Sequence, residues 1–149
     1  MPADSIVPGC DPMQRILERL MLSDLSEAND SIYLNQYNIQ AILYFGDGGM
    51  FPDDLKLYHR PTLKDGSLSP EMLKDGIEFL RESLRAGRRV LAVGDSGATI
   101  VAAYLAEMGM SHSQAVDMIS RDEMRKPDRQ SLEFHENELQ KRASTSLHH

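Results

Sequence analysis

Val90-Leu91-Ala92-Val93-Gly94-Asp95-Ser96-Gly97-Ala98-Thr99, continuing as Ile100-Val101-Ala102-Ala103-Tyr104-Leu105-Ala106, is the stretch whose reading decides the fold. Its four leading apolar residues predict a short buried strand, and Gly94 to Gly97 predict a tight turn. From Ala98 to Met108 the chain is apolar around nearly its whole circumference, which predicts a helix central to the domain, ended by Gly109. Immediately upstream, Ser69-Pro70-Glu71 supplies an N-cap, a proline at the first helical position and a carboxylate at the positive end of the helix dipole. Leu73, Ile77, Leu80 and Leu84 then recur at helical spacing, and Gly87 is placed to close that helix. The predicted order is helix, buried strand, glycine turn, central helix.

Outward from this block the signals are shorter. Ser111 and Gln114 have the spacing of a capping box and open a helix carrying Ala115, Met118 and Ile119. Pro127-Asp128 predicts the start of a last helix running to about Leu139. Ile39 to Phe45, closed by Gly46, predicts a strand, and so does Leu55 to Arg60 ahead of Pro61. Leu20-Met21-Leu22 fits either a short strand or the end of a helix begun at Asp11-Pro12. Strands with interposed helices indicate one α/β domain whose later half is almost wholly helical. The domain is expected over residues 1–142. Residues 143–149, small, polar and ending in two histidines, read as an expression-tag remnant.

Composition narrows the function classes. A chain of 149 residues suits one hydrophobic core, and its net charge of −7 disfavours a nucleic-acid binder, which needs a basic face for phosphates. No apolar run approaches the roughly 20 residues that span a bilayer, so no membrane insertion is expected. No export signal is visible at the start, and a cytoplasmic location is the expectation. The single cysteine, Cys10, excludes an internal disulfide and a thiolate metal cluster. No grouping of His, Cys and carboxylates has metal-ligand spacing, so neither metal nor cofactor is expected.

A glycine turn between a strand and a helix N-terminus can hold an anion on converging N–H groups. The plainer reading is that the glycines permit a sharp turn while Asp95 or Ser96 caps the helix. Asp95 sets a carboxylate where a phosphate would sit, and no Lys-Ser/Thr pair follows to make a nucleotide loop.

In its ordered fragments the chain resembles the dual-specificity protein phosphatases of the cysteine-dependent class. Leu20 to Asp24 is similar to that family's opening strand, and Ile39 to Phe45 to its next one. Tyr58 to Asp65 resembles the strand and loop carrying the general acid, and Met72 to Leu80 the helix before the active site. Gly87 to Leu91 matches the approach to the catalytic strand, Ala98 to Leu105 the central helix, and Met110-Ser111 with Ala115-Val116 the helix after it. The resemblance implies a small, mainly parallel sheet flanked by helices, four of them after or around the loop at Gly94. It also implies protein phosphatase activity, with Asp65 at the general-acid position.

The resemblance breaks at the catalytic loop. The family pattern is His-Cys, five residues, then Arg, whereas here Val93 leads straight into Gly94-Asp95-Ser96-Gly97-Ala98-Thr99. Counting back from Thr99 at the family spacing puts Ser96 at the arginine position and Val90 at the cysteine position. Without the cysteine there is no thiolate to attack phosphorus, and without the arginine no planar fork to hold the transferring oxygens. Gly94 to Thr99 is then the remnant of a phosphate loop, and Asp65 an acid with no nucleophile to serve. This implies a degenerate phosphatase that acts by binding a protein or phosphoprotein partner. An active protein phosphatase whose catalytic loop is altered or truncated in the sequence as given is one alternative.

A serine hydrolase using Ser96 is another, because Gly94-Asp95-Ser96 resembles the nucleophile block of the GDS-type hydrolases. Their Asp-x-x-His partner is missing, since positions 56, 109 and 132, three before the histidines at 59, 112 and 135, are Lys, Gly and Leu. Arg81, Arg85, Arg88 and Arg89 are read as cations complementing a helix end, or as an edge for a phosphoprotein. Arg121, Arg125, Lys126 and Arg129 are read as a solvated face, and His59 as a strand histidine.

Overall fold

The structure, a computed structural model, describes residues 14–24, 30–46, 51, 55–60, 68–119, 127 and 129–147. Five strands form one sheet: β1 (Gln14–Leu17), β2 (Leu20–Ser23), β3 (Ala41–Phe45), β4 (Lys56–Arg60) and β5 (Val90–Val93), in the order β1-β2-β5-β3-β4. β1 is antiparallel to β2, and the remaining pairs are parallel. The helices are α1 (Ser31–Gln36), α2 (Pro70–Arg85), α3 (Gly94–Glu107), α4 (His112–Ile119) and α5 (Arg129–Leu147). The expected mainly parallel α/β architecture is present, with α2 to α5 as the four helices around the Gly94 junction.

Alternation along the strands divides the core. Leu20, Leu22, Leu43, Phe45, Val90 and Ala92 face the large layer built by α2, α3, α4 and α5. Met21, Ile42, Tyr44, Leu91 and Val93 face the other side, where Leu34 of α1 and Ile39 complete a smaller cluster. β5 is the central strand, with β2 and β3 paired to its two edges. α3 lies over it with every residue from Gly97 to Ala106 buried. A helix enclosed on all sides needs no polar stripe, which is why its sequence shows none.

Local capping accounts for the elements that were legible. The Met72 N–H donates to Ser69 Oγ at 3.1 Å, and Pro70 takes the first helical position of α2. α2 ends as a Schellman motif: the Gly87 N–H donates to Leu84 O and the Arg88 N–H to Ser83 O, both at 3.0 Å. The same pair of bonds closes α3 through Gly109 and Met110, and α1 through Asn38 and Ile39. The capping box of α4 also forms, with the Ser111 N–H donating to Gln114 Oε1 at 3.3 Å and the Gln114 N–H to Ser111 Oγ at 3.1 Å.

Of the two readings of Leu20-Met21-Leu22 the strand holds, and β1 (Gln14–Leu17) precedes it. Two expectations are corrected. The last helix does not stop near Leu139 but continues to Leu147. The central helix begins at Gly94 and not at Ala98, so the four residues read as a turn are its first turn.

Candidate functional site

The carboxyl ends of β2, β5, β3 and β4 fall at one edge of the sheet, since Ser23 pairs with Val93, Tyr44 with Val93, and Phe45 with Arg60. In open parallel sheets that edge, beside the following helix N-termini, is where ligands bind. The N-terminus of α3 sits there, immediately after Val93, and brings Gly94, Asp95, Ser96, Gly97, Ala98 and Thr99 to the position expected of a phosphate loop.

Apart from Gly94, whose φ of +73° turns the chain, these residues are already helical and do not form an extended loop. Val93 is both the last residue of β5 and the N-cap of α3, at φ −114° and ψ 130°, and no side chain caps the helix. The expected cap from Asp95 or Ser96 is therefore absent: both are already inside the first turn, where a side chain cannot return to the N2 or N3 amide. Asp95 instead contributes a carboxylate near the positive end of the dipole.

The strand turns into the helix abruptly because of two glycines. Gly94 has φ +73°, in the left-handed region that a side chain makes costly. Gly97 lets the helix lie on the strand, since a Cβ there would stand 2.9 Å from the carbonyl carbon of Ala92. Gly97, Ala98 and Thr99 are buried, and the Thr99 hydroxyl donates to the Asp95 carbonyl at 2.8 Å. Only Gly94, Asp95 and Ser96 reach the surface. Three of these six residues are thus packing positions.

The other predicted residues separate. Asp65 lies outside the described residues, as do Cys10, Arg121, Arg125 and Lys126. His59 and Arg60 are brought to the ligand edge by their backbone register with Tyr44 and Phe45. Arg81 pairs with Glu78 at 2.6 Å and with Glu107 at 2.7 Å. Arg88 and Arg89 line hollows around Gln40 at the opposite end of the sheet, where Gln40 Oε1 accepts from the Arg89 N–H at 3.0 Å. Arg81 is therefore placed at the Glu107 end of α3, and Arg88 and Arg89 beside Gln40.

His112 and His135 are also far from Ser96. His135 Nε2 meets Glu107 Oε2 at 2.8 Å, at the other end of α3. Eleven residues of helix between Ser96 and Glu107 correspond to roughly 16 Å. Neither of these histidines can serve Ser96 as a base, so the hydrolase reading lacks the proton acceptor they would have supplied. Sequence reasoning missed this Glu107–His135 contact altogether. The available signal was a histidine three residues after Leu132 on the apolar stripe of α5, at a position that burial makes expensive unless the ring is paired.

Among the described residues, no group of three or more His, Cys, Asp or Glu is placed to hold a metal ion, and no helix is long and apolar enough to cross a membrane. No protein-family model and no curated protein matches the chain. Solved structures do. Human DUSP28 superposes at a TM-score of 0.76 with 18% identity, covering 87% of this chain and 99% of its own. A mouse putative dual specificity phosphatase, solved as a complex with zinc tungstate, gives 0.77 at 19% identity over 89% and 91%. The human tyrosine phosphatase-like serine/threonine/tyrosine-interacting protein gives 0.72 at 22% identity over 85% and 97%. The chain has the dual-specificity protein phosphatase fold, built around a β5–α3 junction that contains neither a cysteine nor an arginine.

Proposed function

We propose that this chain is a phosphatase-fold protein that works by binding a protein partner and does not turn over phosphate esters. The observation that carries the reading is the junction itself. Val93 closes β5, and Gly94, at φ +73°, is the single residue that turns the chain into the first turn of α3, which leaves no room for a loop around a phosphoryl group. Cysteine chemistry needs a thiolate at that point, and the only cysteine of the chain is Cys10. Stabilising the transferring oxygens needs a bidentate cation, and the position that matches it by spacing is Ser96. The amides opening α3 still favour an anion, but Asp95 adds a negative charge in that same turn.

The intact core and helix caps support a retained binding role, because they preserve the surface on which the fold presents its loops. The likeness to a phosphatase-like protein whose name describes an interacting protein supports it too. Asp65 is a vestigial acid in this reading, and a partner recognised through a phosphorylated residue is its finer form. A cytoplasmic site of action completes the proposal.

Two assays test it, hydrolysis of an aryl phosphate and of an aryl ester, each run on the unsubstituted chain at verified intact mass and on Ser96→Ala. The proposal expects no enzyme-dependent turnover in any of them. Phosphatase turnover at the mass of this sequence overturns it. Ester hydrolysis lost in Ser96→Ala replaces it with a serine hydrolase.

A further inference from the structure

The C-terminal end of α3 holds a chain of polar groups drawn from four helices. Arg81 of α2 donates to Glu107 Oε1 at 2.7 Å. His135 Nε2 of α5 lies 2.8 Å from Glu107 Oε2, and His112 Nε2, at the start of α4, lies 2.8 Å from His135 Nδ1. The two rings meet edge-on, with centroids 5.0 Å apart and planes at 65°. The His135 side chain is only 3% exposed and that of Glu107 13%, so water does not compete effectively for these bonds.

The donors and acceptors fix where the protons sit. An ionised carboxylate only accepts, so His135 Nε2 carries a hydrogen. The neutral His135 ring then has a bare Nδ1, which accepts from the Nε2–H of His112. One added proton is accommodated at His135 Nδ1, beside the Glu107 carboxylate, when the His112 hydrogen moves to its Nδ1 and its Nε2 accepts, so both bonds stay intact. A second can enter only at His112 Nε2, where it faces the Nδ1–H of His135 across 2.8 Å. Two N–H donors cannot share that line, and two adjacent imidazolium rings repel. Glu107 cannot offset both charges, because Arg81 already binds it and Arg142 stands 4.0 Å away.

We propose that Glu107, His135 and His112 form a proton-operated clasp joining α3, α5 and α4, closed with no proton or one added to the rings and opened by the second, which frees α5 from α4 in acid. The surroundings favour this behaviour. From α2, Arg81 faces Glu107 and is itself held by Glu78. His112 borders a hollow of about 300 Å³ with Asp117 of its own helix and Arg129, Glu133 and Glu136 of α5. Burial, and then the charge of a protonated His135, hold the His112 ring below its ordinary histidine value against the opposing pull of Glu136. A histidine lowered in the folded state binds fewer protons there than in the unfolded chain. Its contribution is therefore complete above about pH 6.5 and is lost as the pH falls through the lowered value. The clasp stands independently of partner binding and of any activity at Gly94.

Amide hydrogen exchange on the full chain at pH 7.5 and pH 5.0, corrected for intrinsic rates, tests it. Protection of α5 is expected to fall about tenfold relative to α2 on acidification, a local opening and not global unfolding. In His112→Gln the side-chain amide still donates to His135 Nδ1 but cannot titrate, and the pH dependence of α5 should vanish. An undiminished loss in that variant, or no α5-selective loss in the unsubstituted chain, overturns the proposal. Ring titration of His112 and His135 by nuclear magnetic resonance decides the matter should His112→Gln fail to fold. Two coupled steps separated by more than about 1 pH unit are expected, and independent single titrations contradict the clasp.

Discussion

At its N-terminal end α3 starts on Val93 with no side-chain cap, and its first turn shows solvent only Gly94, Asp95 and Ser96. At its C-terminal end Glu107 binds Arg81 at 2.7 Å and His135 at 2.8 Å, and His135 binds His112, so that four helices are tied together. One end occupies the place where the fold's chemistry belongs and carries none of its side chains. The other end carries a chain of polar groups centred on the buried His135 and the nearly buried Glu107. The contrast teaches that what holds the described core lies away from that junction: the two core layers, the Schellman closures and the far-end network draw on none of Gly94, Asp95 or Ser96.

Substitutions at the two ends should separate in size. The largest effect is expected from His135→Leu, which takes the buried ring from between Glu107 and His112 and so removes both of its bonds; about 3 kcal/mol should be lost in denaturant unfolding at pH 7.5. A loss below 1 kcal/mol would show that the network contributes little. Next comes Gly97→Ala. Its methyl would stand 2.9 Å from Ala92 backbone, so α3 must lift from β5 at a cost of about 2 kcal/mol. Near-neutral behaviour there would mean that the strand and helix are less closely apposed than the structure has them.

Gly94→Ala is expected to cost about 1 kcal/mol through its backbone alone, since a Cβ at that site meets nothing within 4 Å. Ser96→Ala should sit within about 0.5 kcal/mol of the unsubstituted chain and leave partner capture unchanged, because Ser96 neither caps the helix nor has His112 or His135 within reach. A marked loss of binding in Ser96→Ala would put the functional surface back at the α3 N-terminus.

The same division explains what the sequence disclosed. α2, β5 and α3 were legible because their signals are local: Ser69-Pro70 at a cap, four leucine and isoleucine positions at helical spacing, and an unbroken apolar run. α1 and β1 escaped because each is short and held by distant partners, Leu34 against the sheet and Gln14–Leu17 against β2. The start of α3 was misplaced by four residues because a Val93 N-cap has no side-chain signature and glycines read as a turn. At the candidate site the absence of the cysteine and arginine was plain in the residues, while the direct passage from β5 into α3 required coordinates. The Glu107–His135–His112 chain was illegible, since its members come from three helices and no spacing links them.

The central claim, that the junction after Val93 offers no phosphate cradle, is tested most directly by following the backbone amides of Gly94 to Thr99 while inorganic phosphate is titrated into the ¹⁵N-labelled chain. The account predicts no saturable shift at Gly94, Ser96 or Gly97 across the millimolar range. Saturable shifts confined to those amides would contradict it and restore a phosphate site to the end of α3 where the fold normally keeps one.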